Sequence, residues 1–343
     1  RPRMQKYIDF ASRIYQVYLK YVAAADIHVY SIDEAFLDIS SYMSYYKVST
    51  EELALTILND IYDTTGVRAS AGIGDNMFLA KVDLHCLAKK TPNGIFYLNE
   101  EKFKRYIWDI QPLTAIWGIG AGIAKRLSKR NMHSMRDIAC ADVEELEREF
   151  GVIGRELYEH AHGRDDSTVT EVQSYRPQAK TFGASQILFR DYHFKEILVI
   201  LSEMIEDVVC KLVANDLSTQ LIELGIGYSK AIGGGFYKQR TLDSPTFSKK
   251  ELLDAFYKLY HENVQFAPIR KVMVRVGKLT SEHFVQTDLF SIAKDYTKEK
   301  QLYLAINQVK RKFGANAIHL AISYTNAGTK VLRNRLIGGH NAN

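Results

Sequence analysis

A chain of 343 residues has room for two or three domains, and 46% hydrophobic with 25% charged residues excludes a disordered or collagen-like polymer. No apolar run approaches the ~18 residues that span a bilayer and no signal-peptide pattern opens the chain, so it reads as cytoplasmic, without membrane contact. The net charge of +5 divides into −4 over residues 1–175 and +9 over 176–343, an asymmetry that suits either a polyanion partner for the second half or a solvated basic face.

The chain begins at Arg1 without an initiator methionine, as a processed product or a fragment would. Apolar positions Ile8, Ile14, Val17, Tyr18 and Tyr21 recur at helical spacing and predict one amphipathic helix over 4–21. Two β-rich runs, 27–31 and 35–39, follow, joined through Asp33 and Glu34. Residues 51–62 predict a helix, 67–73 a strand, 75–87 a helix and 94–98 a strand, together an α+β layer over 1–112. After Pro112 the pattern is helical from 113 to 164, with breaks at Gly118-Ile119-Gly120, Asn131-Met132-His133 and Gly151-Val152, as in a small all-helical domain. Residues 165–179 are polar, contain Pro177 and lack periodicity, and read as a linker. From 180 to 280 the order is strand 181–189, helix 194–214, strand 219–229, strand 235–242, helix 248–262 and strand 271–279. That β-α-β-β-α-β order gives a four-stranded sheet with two helices on one face and the other face free. A tail, 281–343, carries a helix around 302–313 and a basic end at Lys330, Arg333 and Arg335.

Four segments carry candidate chemistry. In Tyr30-Ser31-Ile32-Asp33-Glu34-Ala35-Phe36-Leu37-Asp38, two adjacent carboxylates interrupt a strand-forming run. Hard cations such as Mg²⁺ take carboxylate oxygens and keep positions open for phosphates; the same dipeptide also serves as an ordinary surface turn. Consecutive strand residues point to opposite faces, so a shared metal site requires a bend at Asp33 and Glu34. With a third carboxylate, the pair could hold two ions about 3.5–4 Å apart for phosphoryl transfer.

In the second segment, Ser70 to Lys81, glycines let the backbone approach a ligand and the following helix start favours anions. Lys81 is placed to reach a triphosphate, or to be a solvated helix lysine. The third, Ile116-Trp117-Gly118-Ile119-Gly120-Ala121-Gly122-Ile123, is not a dinucleotide fingerprint, because Ile123 stands where that motif needs glycine. It suits a hairpin offering N–H groups to a DNA phosphate, with Lys125 and Arg126 nearby, or a tight inter-helix turn. The fourth, Gln286-Thr287-Asp288-Leu289-Phe290, is a short peptide able to anchor in a partner's apolar pocket. Zinc spacing, an H-E-x-x-H helix, a G-x-S-x-G elbow and a P-loop are all absent, and Cys86, Cys140 and Cys210 read as reduced thiols.

Taken in order, these segments resemble the Y-family DNA polymerases, which copy damaged templates, and most closely the bacterial UmuC-like branch. Ser31 to Asp38 is similar to the catalytic palm motif. Residues 71–81, continuing to Lys90-Thr91-Pro92-Asn93-Gly94, are similar to the second palm segment. Residues 116–120 are similar to the thumb's helix-hairpin-helix, and the β-α-β-β-α-β block to the little finger. The resemblance implies an α+β multidomain chain: partial palm 1–112, thumb 113–164, linker 165–179, little finger 180–280 and tail 281–343. It implies Asp33 and Glu34 as catalytic Mg²⁺ ligands and Lys81 as a contact for a deoxynucleoside triphosphate. Gly118, Gly120, Lys125, Lys180 and Arg190 would bind primer-template DNA. Gln286, Leu289 and Phe290 would dock on the sliding β-clamp, and accessory SOS proteins would be further partners.

Members of that family open with a strand bearing another metal-binding Asp and with a fingers domain. Neither is found ahead of Asp33, which only 32 residues precede. The expectation is therefore a polymerase fragment that binds DNA with little or no activity; the competing reading is a non-catalytic DNA- and clamp-binding module.

Overall fold

The computed structural model describes residues 2–175, 181–281 and 296–342. The chain divides into two compact units, Lys6–Arg176 and Pro177–Asn343 with Arg1–Gln5.

The first unit opens on α1 (Met4–Tyr18), whose Val17 is buried against Leu53, Ile57 and Ile61 of α3 (Thr50–Thr65). Between them lie β1 (Ile27–Val29), β2 (Ala35–Leu37) and the short α2 (Met43–Tyr46). The sequence of α3 states both of its ends. Ser49 and Glu52 form a reciprocal capping box, and Gly66 closes the helix at φ 73°. β1 and β2 pair antiparallel, with His28 opposite Phe36.

β3 (Ala71–Gly74), α4 (Met77–Cys86) and β4 (Ile95–Leu98) form a βαβ unit whose strands are parallel. Here the glycines do something other than expected. A Cβ on Gly72 would lie 2.1 Å from the Ala80 carbonyl oxygen, and one on Gly74 would lie 2.4 Å from the Ala80 nitrogen. They let α4 press directly onto β3, and the close approach they permit is to the protein's own helix rather than to a ligand. The start of α4 is also occupied: Asn76 accepts from Leu79 N–H, and the Asp165 carboxylate accepts from Phe78 N–H. The anion expected at this helix start is the protein's own side chain.

The helices that follow are α5 (Glu100–Tyr106), α6 (Ala121–Ser128), α7 (Met135–Ala139), α8 (Val143–Phe150) and α9 (Val152–Ala161). They do not close a core of their own. Leu127, Met135, Ile138, Leu146 and Leu157 pack into one cluster with Phe78, Leu79, Val82 and Leu98 from the βαβ unit. The expected boundary at Pro112 is thus a change of secondary structure inside one core. The expected linker also begins with structure, since α10 (Val169–Ser174) has a Thr168–Glu171 capping box, and Gln173 donates to the Ile27 carbonyl of β1 at 2.6 Å. A six-residue helix is too short to show periodicity, so its cap was the readable signal.

In the second unit, β5 (Thr181–Tyr192), α11 (Phe194–Ala214), β6 (Leu217–Tyr228), β7 (Gly235–Thr246), α12 (Lys249–Asn263) and β8 (Ile269–Ser281) follow the expected order. The sheet runs β5-β8-β6-β7, every neighbour antiparallel. Val272, Val274 and Val276 face α11 and α12 in the core, where each large aliphatic side chain contributes about 1.5–3 kcal/mol.

The tail continues as α13 (Thr297–Phe313), α14 (Lys330–Arg333) and the two-residue strands β9 (Leu336–Ile337) and β10 (His340–Asn341). It belongs to this unit through buried polar groups on α11. Glu203, fully buried, accepts from the N–H groups of Thr329 and Lys330 and from the Thr329 hydroxyl. Lys330, 1% exposed, lies 2.7 Å from Asp207 and 3.5 Å from Glu206.

Candidate active site and nucleic-acid interface

The loop between β1 and β2 supplies the bend that a metal-binding Asp-Glu pair requires. Tyr30 and Ser31 N–H groups both donate to the Glu34 carbonyl, at 3.0 and 3.1 Å. This closes a tight hairpin, so Asp33 and Glu34 lie in the turn rather than on opposite faces of one strand. Asp33 is exposed, and its Oδ1 accepts from the Ser31 hydroxyl at 2.7 Å. Glu34 turns toward α4, where its Oε2 receives the Lys81 ammonium and its Oε1 lies 3.6 Å from His85 Nε2.

Lys81 is 4% exposed. Such burial is tolerable because the ammonium has two partners: the Glu34 carboxylate and the Tyr30 ring, whose centroid is 4.2 Å from Nζ. Partial burial, then the nearby Lys81 and Lys89 charges, hold His85 below the usual imidazole range against the pull of Glu34. Neutral His85 therefore adds no second cation over the carboxylates at neutral pH. Tyr30 is held in turn by Trp117, whose indole N–H donates to its hydroxyl at 3.1 Å, and Phe36 completes the aromatic group.

These oxygens fit a hard divalent cation as two members of a larger ligand set. Asp33 is open to solvent, and such cations accept one or two carboxylates with waters and phosphates filling the rest. Among the described residues, no group of three or more His, Cys, Asp or Glu side chains is arranged to hold a metal.

Trp117 stands at the start of the second element. Gly118 adopts φ 88°, a conformation that favours glycine, and Gly120 is the N-cap of α6. Open space surrounds the Cβ positions of Gly118, Gly120 and Gly122. The hairpin backbone is thus uncovered at a helix start, with Lys125 exposed one turn on. Arg126 is engaged otherwise: it pairs with Glu149 and stacks over Phe150 at 4.3 Å.

Residues 1–84 match the model of the impB/mucB/samB family, and residues 179–289 match the model of that family's C-terminal domain. The putative UV-damage repair protein UvrX of Bacillus subtilis (strain 168) is 34% identical over 342 residues, covering 99% of this chain and 80% of that protein. DNA polymerase IV 2 of the same organism is 33% identical, with 99% and 81% covered. The chain belongs to the impB/mucB/samB family, the Y-family polymerases. In fold it is similar to the Y-family DNA polymerase chimera Dbh-Dpo4(243-245)-Dbh, with a TM-score of 0.57 at 22% identity over 82% of this chain and 78% of that one.

In this Y-family chain the open sheet face of the second unit is the remaining candidate surface. Adjacent strands place Gly183, Arg275, Glu223 and Gln239 in one row, and Ser185, Met273, Gly225 and Tyr237 in the next. Glu223 accepts from the Tyr237 hydroxyl and lies 3.4 Å from Arg275, so Arg275 is steered while staying exposed. Sequence reasoning passed over Arg275 and Lys271, although their alternation with Val272, Val274 and Val276 was a readable period of two. It also gave no role to Tyr30, His85 or Trp117.

Arg190 is tied at the sheet's corner rather than free. It pairs with Glu196, donates to the Asp191 carbonyl and stacks on Tyr192 at 4.0 Å. The Arg190 hydrogen bond is the chief reason the Glu196 carboxyl is lowered to about 2. Lys180, Gln286, Leu289 and Phe290 lie outside the described residues.

Proposed function

We propose that this chain is a template-directed, error-prone DNA polymerase of the UmuC-like branch, handling DNA and carrying the catalytic hairpin, and acting in translesion synthesis during SOS-type repair. The reading rests chiefly on the 30–34 turn, which sets an open Asp33 beside a Glu34 neutralised by a buried Lys81. In nucleotidyl transfer the primer 3′ oxygen attacks the α-phosphorus of a deoxynucleoside triphosphate and pyrophosphate leaves. Mg²⁺ held by Asp33 and Glu34 would supply charge neutralisation at the two oxygens exchanged.

Lys81 is the residue that must give way. Its ammonium and a divalent cation both seek Glu34, and a triphosphate offers Lys81 a richer anionic partner. Gly118, Gly120 and Lys125 suit a duplex phosphate, while Arg275, Lys271 and the small residues of the open sheet suit the backbone of the same duplex. Lys180 and Arg190 are further DNA contacts in this reading, with Arg190 required to leave Glu196. Gln286, Leu289 and Phe290 are the proposed β-clamp anchor, and SOS accessory proteins the other partners.

In this reading the chain is expected to bind primer-template DNA and, with Mg²⁺ and deoxynucleoside triphosphates, to extend it. Binding lost as salt rises, together with extension abolished by Asp33→Asn, supports the enzyme. DNA and clamp binding without extension would instead establish a non-catalytic module.

A further inference from the structure

Two features of the first unit belong to different stretches of chain yet touch: the uncovered hairpin at 118–120 and the carboxylate turn at 30–34. Trp117 makes the contact on the hairpin side; Tyr30, with Phe36 just beyond the turn, makes it on the other. Trp117 directly precedes Gly118, its indole N–H donates to Tyr30 Oη at 3.1 Å, and its ring lies edge-on to Tyr30 at 6.1 Å. Tyr30 opens the carboxylate turn, closes it through its own N–H to the Glu34 carbonyl, and presents its ring face to Lys81 at 4.2 Å. Lys81 then pairs with Glu34. The path from hairpin to carboxylate contains three side-chain links: a hydrogen bond, a cation–ring contact and an ion pair.

Tyr30 is 45% exposed, so burial alone does not fix its ring. The indole donor grips its hydroxyl end, and the rings of Trp117 and Phe36 flank it. A fixed ring also matters to Lys81, because among the described residues it is the ammonium's partner besides Glu34. When a cation takes Glu34, the Tyr30 face keeps Lys81 from carrying its full desolvation cost. We propose that Trp117 and Tyr30 are positioning residues that couple duplex binding at the 118–120 hairpin to divalent-cation binding at Asp33 and Glu34, by holding a ring on which Lys81 rests when it releases Glu34. This rests on the polymerase reading above and adds a communication route to it.

The test is a linkage measurement on the full chain, with Mn²⁺ as the probe cation. Affinity for a fluorescein-labelled primer-template duplex is read by anisotropy with no Mn²⁺ and with saturating Mn²⁺, at constant ionic strength. Asp33→Asn supplies the background ratio that arises from Mn²⁺ on the DNA itself. Wild type is expected to tighten about five- to tenfold more than that background, the effect of one or two coupled contacts. Tyr30→Phe keeps the ring but loses the hydroxyl that Trp117 grips. Its ratio should fall most of the way to background while its affinity without Mn²⁺ stays within twofold of wild type. Trp117→Phe should lower the ratio equally, and the double variant no further.

A wild-type ratio retained in Tyr30→Phe would overturn the coupling while leaving the polymerase reading intact. A wild-type ratio no greater than that of Asp33→Asn would remove the cation site itself, and absence of duplex binding would remove the nucleic-acid reading. Because Tyr30→Phe deletes one exposed oxygen, it decides the matter even if Trp117→Phe fails to fold.

Discussion

Asp83 is the carboxylate whose behaviour follows most directly from its surroundings. It sits in α4, fully buried, with one oxygen accepting from Ile73 N–H at 2.9 Å and the other without a partner. Burial, opposed by the Ile73 hydrogen bond and the Lys102 charge, pushes its carboxyl up to about 7 from 3.8. The sign follows from proton counting. Between about pH 4 and 7 the unfolded chain has released this proton while the folded chain retains it, so stability falls as pH rises through that window and is lowest above it. At about 1.4 kcal/mol per pKa unit, the loss approaches 4 kcal/mol by pH 8.

Asp83→Asn preserves the acceptor for Ile73 and cannot ionise. Its unpaired amide costs about 1–3 kcal/mol, but that cost is the same at every pH. Urea denaturation at pH 5, 6, 7 and 8 should therefore show the variant gaining on wild type by about 2–3 kcal/mol across the series, most of it before pH 7. A wild-type minus variant difference that stays level from pH 5 to 8 would show that Asp83 is ionised in the folded protein, and the burial argument would fail.

Gly72→Ala should abolish soluble folded protein or lower its melting temperature by many degrees, because the new Cβ meets helix backbone at 2.1 Å rather than a movable side chain; circular dichroism melting checks it. Lys330→Met should leave Glu206 with Lys310 at 3.8 Å and Asp207 with Arg333 at 2.6 Å, so the loss should fall below the about 3–5 kcal/mol of a buried charge left unpaired, and residues 297–342 should yield to limited proteolysis before the β5–β8 sheet. Lys125→Ala should weaken duplex binding uniformly across DNA sequences and lower the slope of log affinity against log salt by about one, measured by anisotropy. Asp33→Asn should remove primer extension while leaving duplex affinity in Mg²⁺-free buffer within about twofold.

The parts of this protein readable from its sequence are those governed by local rules. The β-α-β-β-α-β order followed from periodicity, and the apolar pattern placed helix α11 at both ends. The need for a bend at Asp33 and Glu34 followed from the period of two in a strand. What periodicity does not encode is partnership between distant residues. That Gly72 and Gly74 serve a helix and that Asp165, 87 residues on, caps α4 are consequences of how the chain packs. The same holds for Lys81, which by sequence alone was a lysine free for phosphate. Tertiary structure buried it between Tyr30 and Glu34, because an ammonium removed from water settles on whichever anion and ring face the fold brings within reach.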